Sequence, residues 1–173
     1  LMILLALSAL ELYSQINSKE FGKKLEEADN YLDNKRFDGA LYLDLELARV
    51  DSLNSDVNFG IGVSYLNSRT QKKKAIPYFE KAIACVDMNN KLIECTEKQD
   101  KAHVNAFRFL GDAYHVAYRF DDAISNYEKY KMLATNRSDR SGIEEVNRKI
   151  EMCHVGKELV AKPIKVKIEN AGK

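Results

Sequence analysis

The stretch FRFLGDAYHVAYRFDDAISNY, residues 107–127, decides the fold of this chain. Small and aromatic residues recur in it at helical spacing, at Phe107, Leu110, Gly111, Tyr114, Phe120, Ala123 and Tyr127. The same order appears twice earlier with fewer members, first in Ala28, Tyr31, Phe37 and Ala40, then in Gly62, Tyr65, Ala75, Phe79 and Ala82. Ala40 and Ala75 are 35 residues apart, a period typical of repeated helical hairpins. The sequence therefore predicts stacked antiparallel helix pairs.

The composition favours a single all-α domain without a global charge bias. Of the 173 residues, 45% are hydrophobic and 31% are charged, and there are only two prolines and eight glycines. The formal net charge is +1, so no overall field attracts nucleic acid or an anionic membrane. We therefore expect no nucleic-acid partner, and membrane contact only indirectly or through the N-terminal segment.

Apolar stripes separated by polar turns predict seven helices. We place them at about 21–32, 40–48, 56–67, 73–86, 103–118, 121–133 and 143–160. Asp56 is placed to cap the third helix, and Pro77 falls within the first turn of the fourth. Residues 87–101 exceed the repeat period, and we interpret them as lengthened helix ends around a loop. The last helix carries Val146, Ile150 and Cys153 on one side and charges on the other, which predicts a polar-faced cap.

The two ends of the chain differ from the repeats. The first ten residues are almost wholly apolar, long enough for the hydrophobic region of a secretory signal and too short to span a bilayer. A signal remnant, a packed N-terminal helix and a membrane anchor all remain open. After Pro163, the residues Ile164, Val166 and Ile168 alternate with charged residues, which predicts a short β-strand. We divide the chain into an apolar segment at 1–14, a helical domain at 15–162 and an extended segment at 163–173 that leads to a downstream domain.

The repeated signature resembles the tetratricopeptide repeat (TPR) family. Within it, GDAYH at 111–115, YRFDDAI at 118–124, IEMC at 150–153 and the segment 163–172 are similar to the N-terminal TPR region of a group of Gram-negative envelope proteins. In that group the repeats precede a WD-like β-propeller and a peptidoglycan-binding domain of the outer-membrane-protein-A type, and some members serve secretion. The resemblance implies a right-handed solenoid of three repeats plus a capping helix, in the periplasm and associated with the outer membrane. A cytoplasmic location follows if the apolar start is not a signal.

No pattern in the chain indicates catalysis. The three cysteines, Cys85, Cys95 and Cys153, lack the spacing of a zinc site. In an oxidising compartment Cys85 and Cys95 could form a bridge, whereas Cys153 falls on the buried stripe. His154 follows Cys153, but adjacent helical side chains point about 100° apart. We therefore expect no enzyme activity, no cofactor and no metal.

The resemblance implies a concave groove lined by the first helix of each pair. The groove residues carried over from the family are Leu25, Asp29, Leu32 and Asp33 in the first repeat, Phe59, Val63, Leu66 and Asn67 in the second, and Asn105, Arg108, Asp112, His115 and Val116 in the third. A mixed apolar and acidic groove suits an amphipathic helix or an extended basic segment. The basic turn formed by Arg69 and Lys72–Lys74 is either a solvated helix entrance or a contact for an acidic partner or a lipid headgroup.

These observations predict a protein-binding scaffold module of the bacterial cell envelope, with a partner protein or peptide in the groove. Two alternatives stay open. One is a structural spacer whose groove is filled by its own N-terminal helix or by the next domain. The other is a cytosolic TPR adaptor.

Overall fold

A computed structural model describes the backbone of residues 2–84, 99–135 and 139–162, with side chains described from residue 18 and, after the first gap, from residue 104. Its helices are α1 (Met2–Asp33), α2 (Phe37–Val50), α3 (Ser55–Asn67), α4 (Ala75–Ala82), α5 (Gln99–Val116), α6 (Phe120–Thr135) and α7 (Arg140–Ala161), with a 3-10 turn at Lys72–Lys74 before α4. The described ranges contain no strand. The all-α class and the seven helices predicted from the sequence are confirmed.

Each helix packs on the next helix in the chain, from α1 against α2 through to α6 against α7. In addition, α3 contacts both α1 and α5, so the odd-numbered helices lie side by side. Side chains also join α5 to α7. The chain therefore forms three successive pairs, α1–α2, α3–α4 and α5–α6, followed by α7.

Close approach within the second and third pairs depends on glycine. A Cβ atom on Gly62 would lie 2.6 Å from the Phe79 ring, and one on Gly111 would collide with the Tyr127 ring. Both rings are fully buried. The same contact between a glycine and an aromatic ring thus recurs in consecutive pairs, because the missing side chain leaves the space that the ring fills.

The interior is divided into two clusters of buried apolar side chains. The larger one runs from α4 to α7 and includes Phe79, Leu110, Tyr127 and Val146. The smaller one joins α2 to α3 through Leu47, Val57 and Ile61. Tyr65 packs against both clusters.

Several predicted boundaries differ from the structure, and α1, α2 and α7 begin before the predicted residues 21, 40 and 143. Helix α3 begins one residue before Asp56, so Asn54 occupies the N-cap and its side chain accepts the Val57 N–H at 3.1 Å. The Asp56 cap prediction is therefore wrong, and Asp56 lies in the first turn. Helix α4 ends at Ala82 rather than near residue 86. Helix α5 begins at Gln99, earlier than predicted.

The apolar start of the chain belongs to the same continuous helix, α1, as the first-repeat residues. The boundary predicted at residue 14 stays a prediction. Among the helices described, none is long and apolar enough to cross a membrane. The bridge between Cys85 and Cys95, most of the insertion at 87–101 and the strand predicted in 163–173 lie outside the described residues.

Candidate functional site

Two of the predicted groove residues, Arg108 and Asp112 on α5, are engaged by α7. Arg108 Nη1 donates to Glu145 Oε2 at 2.9 Å, and its guanidinium lies over the Phe109 ring, 4.8 Å from the centroid. Lys149 Nζ lies 2.8 Å from Asp112 Oδ1 and 2.7 Å from Glu145 Oε1. Four alternating charges therefore join α5 to α7.

A tyrosine ties this network to α6. The hydroxyl of Tyr127 donates to Asp112 Oδ1 at 2.7 Å. Burial and the neighbouring Asp112 carboxylate raise the pKa of Tyr127, so the phenol stays a protonated donor. Hydrogen bonding to Lys149 lowers the pKa of Glu145, which keeps that carboxylate charged. The charges of Arg108 and Asp112 thus hold helices together.

Two further groove predictions, His115 and Val116, line an open apolar cavity of about 890 Å³ between the end of α5, the start of α6 and the second half of α7. We call it the α7 cavity. Its apolar lining includes Val116, Tyr118, Phe120, Met152, Val155 and Leu159. Val116 is 40% exposed, and Met152, Val155 and Leu159 are 58%, 55% and 63% exposed. Arg148 and Glu151 contribute one charge of each sign to the lining.

The exposed residues of α7 overturn the prediction of a polar-faced cap. Val146 and Cys153 are buried, as the sequence predicted. However, Met152, Val155 and Leu159 follow one another by three and four residues and form a second apolar stripe beside the first. The spacing of this second stripe is visible in the sequence. The prediction overlooked it because the first stripe, with Val146 and Cys153, already explained how α7 packs.

Cys153 packs beside His115, a residue that lines the α7 cavity, and its thiol is not exposed for reaction. It is fully buried, with its sulfur 3.7 Å from His115 Nδ1. Burial, together with the charge of Asp112, raises the pKa of the thiol to about 11, so it stays protonated. His154 is exposed and does not converge with Cys153. No group of three metal-ligating side chains occurs in the described ranges.

The groove residues of the second pair take part in packing. Phe59 is half-buried, with its ring centroid 5.9 Å from that of Phe79 and 5.7 Å from that of Phe109. Val63 and Leu66 pack against the larger cluster. Asn67 is exposed and donates to the Val63 carbonyl at 2.9 Å, and Asn105 on α5 is half-buried.

In the first pair, Leu25 and Leu32 are half-buried, whereas Asp29 and Asp33 are exposed. Asp44 on α2 is 1% exposed, and no described residue forms a hydrogen bond with its Oδ2 atom. Burial, and secondarily the charge of Asp29, raises the pKa of Asp44 to about 8. A neutral carboxyl group therefore lies between α2 and α3 near neutral pH.

Known proteins offer a structural neighbour and no match in sequence. No family model matches the chain, and no curated protein matches it. Among solved structures, the chain is similar to one titled "Crystal structure of MamA protein", with 16% sequence identity, coverage of 86% of this chain and 98% of that chain, and a TM-score of 0.35.

Proposed function

We propose that the chain is a TPR-type helical-repeat module that binds a partner protein. In this proposal the three pairs form a right-handed solenoid, the odd-numbered helices line its concave face, and α7 closes one end. The recurring contact of Gly62 with Phe79 and of Gly111 with Tyr127 supports the repeat. The packing of α3 against both α1 and α5 supports the row of odd-numbered helices. Such modules present extended surfaces to partners.

The observation that carries the proposal is the α7 cavity. Exposed apolar surface of this kind, rimmed by polar residues, marks protein-interaction sites. The lining of α7 extends from Arg148 to Val160, which is about 18 Å along a helix. An amphipathic partner helix of about three turns fits that length, with apolar anchors against Val155 and Leu159.

In this proposal the predicted groove residues of the first two pairs offer a second surface, separate from the lining of the α7 cavity. Leu25 and Leu32 offer partly exposed apolar area, and Asp29, Asp33 and Asn67 offer polar groups at the exposed rim. Acidic groups at the rim favour a partner segment with basic residues, and they fix its register more than its affinity. We assign Arg108 and Asp112 to the attachment of α7 instead of to the partner.

The test is a double substitution in the α7 cavity. Val155→Asp with Leu159→Asp places two charges where the partner's apolar side chains would bind, and both positions are more than half exposed, so folding is retained. The control is Leu53→Asp, at a residue that is 73% exposed outside the cavity. Tagged wild-type protein and both variants are cross-linked in native lysate, and the captured proteins are quantified by mass spectrometry.

We expect a captured protein that the control retains and the double variant loses by about tenfold or more, the loss typical of a central interface position. Equal capture by all three proteins would place the interface elsewhere. Failure of the wild type to capture any protein would favour a structural spacer, because α7 already engages Arg108 and Asp112.

We further propose that the module is not an enzyme and that it works in the bacterial cell envelope, at the periplasmic side of the outer membrane. The resemblance at 111–115, 118–124 and 150–153, and the apolar first ten residues, support this location. Cell fractionation of the natural gene product with an antibody against the helical domain tests it. Recovery in the cytoplasm would favour a cytosolic adaptor.

A further inference from the structure

A second cavity, of about 700 Å³, lies between the turn that joins α1 to α2 and the end of α3. We call it the basic cleft. Its lining includes Lys35 and Arg36 from the turn, Arg69 after α3, and one carboxylate, Asp38. In the part of the chain that is described, none of the three cations forms an ion pair. The cleft therefore holds an excess of positive charge.

The start of α2 adds hydrogen-bond donors to this charge. Arg36 occupies the N-cap, and its side chain makes no capping hydrogen bond. Instead, its guanidinium lies over the Tyr31 ring, 4.6 Å from the centroid. The backbone N–H groups of Phe37 and Asp38 have no acceptor among the described residues. Free N–H groups and the positive end of the helix dipole together favour an anion.

A buried hydroxyl group provides independent support. Ser64 on α3 lines the basic cleft and is only 3% exposed, and its Oγ atom has no hydrogen-bond partner among the described residues. A buried hydroxyl without a partner is unfavourable unless a ligand satisfies it. Ser64 shares the lining of the cleft with Phe37 and Asp38 at the start of α2, so a ligand bound there would lie close to both the serine side chain and the helix N–H groups.

We propose that the basic cleft binds a phosphate group. Two guanidinium groups, a lysine, a hydroxyl and two N–H groups offer more donors than the two oxygens of a carboxylate can accept, whereas a phosphate presents three or four oxygens. This site lies at the turn of the first pair and does not depend on partner binding at the α7 cavity. The phosphate is either free in solution or carried by a lipid headgroup.

The experiment titrates inorganic phosphate into the isotope-labelled full chain at constant ionic strength, with chloride as the replaced anion. Amide shifts of Phe37 and Asp38 report binding. Arg36→Gln with Arg69→Gln removes both guanidinium groups and is expected to weaken binding about tenfold or more. The matched control, Lys72→Gln with Lys73→Gln, removes two charges from the neighbouring turn, outside the lining, and is expected to change binding by less than about twofold.

Ser64→Ala is the second variant. Because the hydroxyl has no partner in the part of the chain that the structure describes, we expect its removal to preserve the fold and the charge and to weaken binding about threefold. Absence of phosphate-dependent shifts at Phe37 and Asp38 would overturn the proposal. Equal losses in the guanidinium variant and the lysine control would also overturn it, since non-specific attraction would then explain the binding.

Vesicles of phosphatidylcholine with and without phosphatidic acid distinguish the two sources of phosphate. Sedimentation with the phosphatidic acid vesicles that is lost in the guanidinium variant assigns the site to a headgroup. Phosphate binding in solution without such sedimentation assigns it to a soluble phosphate.

Discussion

At the residue scale, Asp44 breaks the pattern that the other pairs follow. In the second pair Phe79 follows Ala75 by four residues, and in the third pair Tyr127 follows Ala123 by four residues. In the first pair the residue four positions after Ala40 is Asp44. Its Oδ2 atom lies against the backbone of Gly60, in the space that a Cβ atom would need. A carboxyl group thus occupies a position where the other pairs bury an aromatic ring, and folding must keep it neutral.

We predict that Asp44→Asn stabilises the protein at and above pH 8. The folded-state pKa of about 8 is above the ordinary aspartate value of 3.8, so the folded state holds this proton more tightly than the unfolded state. Stability is then fully present at low pH and falls as the pH rises from about 4 to about 8. The variant removes this loss, which is of the order of a few kcal/mol because one pKa unit corresponds to about 1.4 kcal/mol.

Urea unfolding followed by circular dichroism between pH 4 and pH 9 would measure this effect. The exposed Asp38→Asn is the control and should keep the wild-type pH slope. Parallel curves for Asp44→Asn and the wild type would contradict the prediction.

Sequence reasoning at this scale succeeded for side chains whose role is set by local spacing. The burial of Val146 and Cys153 follows from their position on one helical stripe, and the structure confirms it. The engagement of Arg108 by Glu145 involves residues 37 positions apart. The resemblance to the family assigns Arg108 to a groove, but it does not show that Glu145 on another helix forms an ion pair with it.

At the scale of the elements, two glycines in helices have opposite surroundings. Gly111 in α5 faces the Tyr127 ring, whereas a Cβ atom on Gly22 in α1 would have no described atom within 4 Å. Helix propensity favours alanine over glycine in both helices. The packing around each glycine therefore decides whether a substitution by alanine raises or lowers the free energy of unfolding.

We predict that Gly111→Ala destabilises the protein by about 1–3 kcal/mol, because the new methyl group overpacks the contact between α5 and α6. Gly22→Ala should stabilise it by about 0.5–1 kcal/mol, because only backbone entropy changes there. Thermal unfolding of both variants gives the comparison. Equal effects of the two substitutions would show that α5 and α6 do not approach closely at Gly111.

The attachment of α7 to α5 depends on Lys149. We predict that Lys149→Met costs about 1–3 kcal/mol at pH 7, because Asp112 and Glu145 lose the cation that they share. The pKa of Glu145 is lowered from 4.5. The stabilisation is therefore present above that pH and is lost as the pH falls through the folded-state pKa.

The control for this change is Arg148→Met, which removes the same charge from the neighbouring exposed residue. Its unfolding midpoint should stay close to that of the wild type at pH 7. The difference between Lys149→Met and the wild type should shrink at pH 3.5. A difference that does not depend on pH would mean that the lysine acts through its aliphatic chain.

At the scale of the whole molecule, the sequence predicted the all-α class and the seven helices, because small and aromatic residues recur at helical spacing in three successive sets. The prediction of a polar outer face on α7 was wrong. Periodicity identifies an apolar stripe, but whether another element covers that stripe depends on the three-dimensional neighbours. Met152, Val155 and Leu159 form a proper helical stripe and yet are exposed.

We predict that the folded protein binds the dye 8-anilinonaphthalene-1-sulfonate at the α7 cavity, since open apolar cavities bind such probes. Val155→Ser with Leu159→Ser should reduce the fluorescence increase by about half or more, because both side chains line the cavity. Leu53→Ser, at an exposed residue outside the cavity, should leave it unchanged. Unchanged fluorescence in the cavity variant would show that the cavity does not take up apolar ligands.

Because the interior is divided into two clusters that meet at Tyr65, the two ends of the molecule need not open together. Among the described residues the smaller cluster buries only Leu47, Val57 and Ile61, fewer side chains than the larger cluster, so we expect the end formed by α1 and α2 to have the lower free energy of local opening. Amide hydrogen exchange should therefore be graded, fastest in α2 and slowest in α5 and α6. Helices α1 and α2 can therefore open locally while α3 to α7 stay folded.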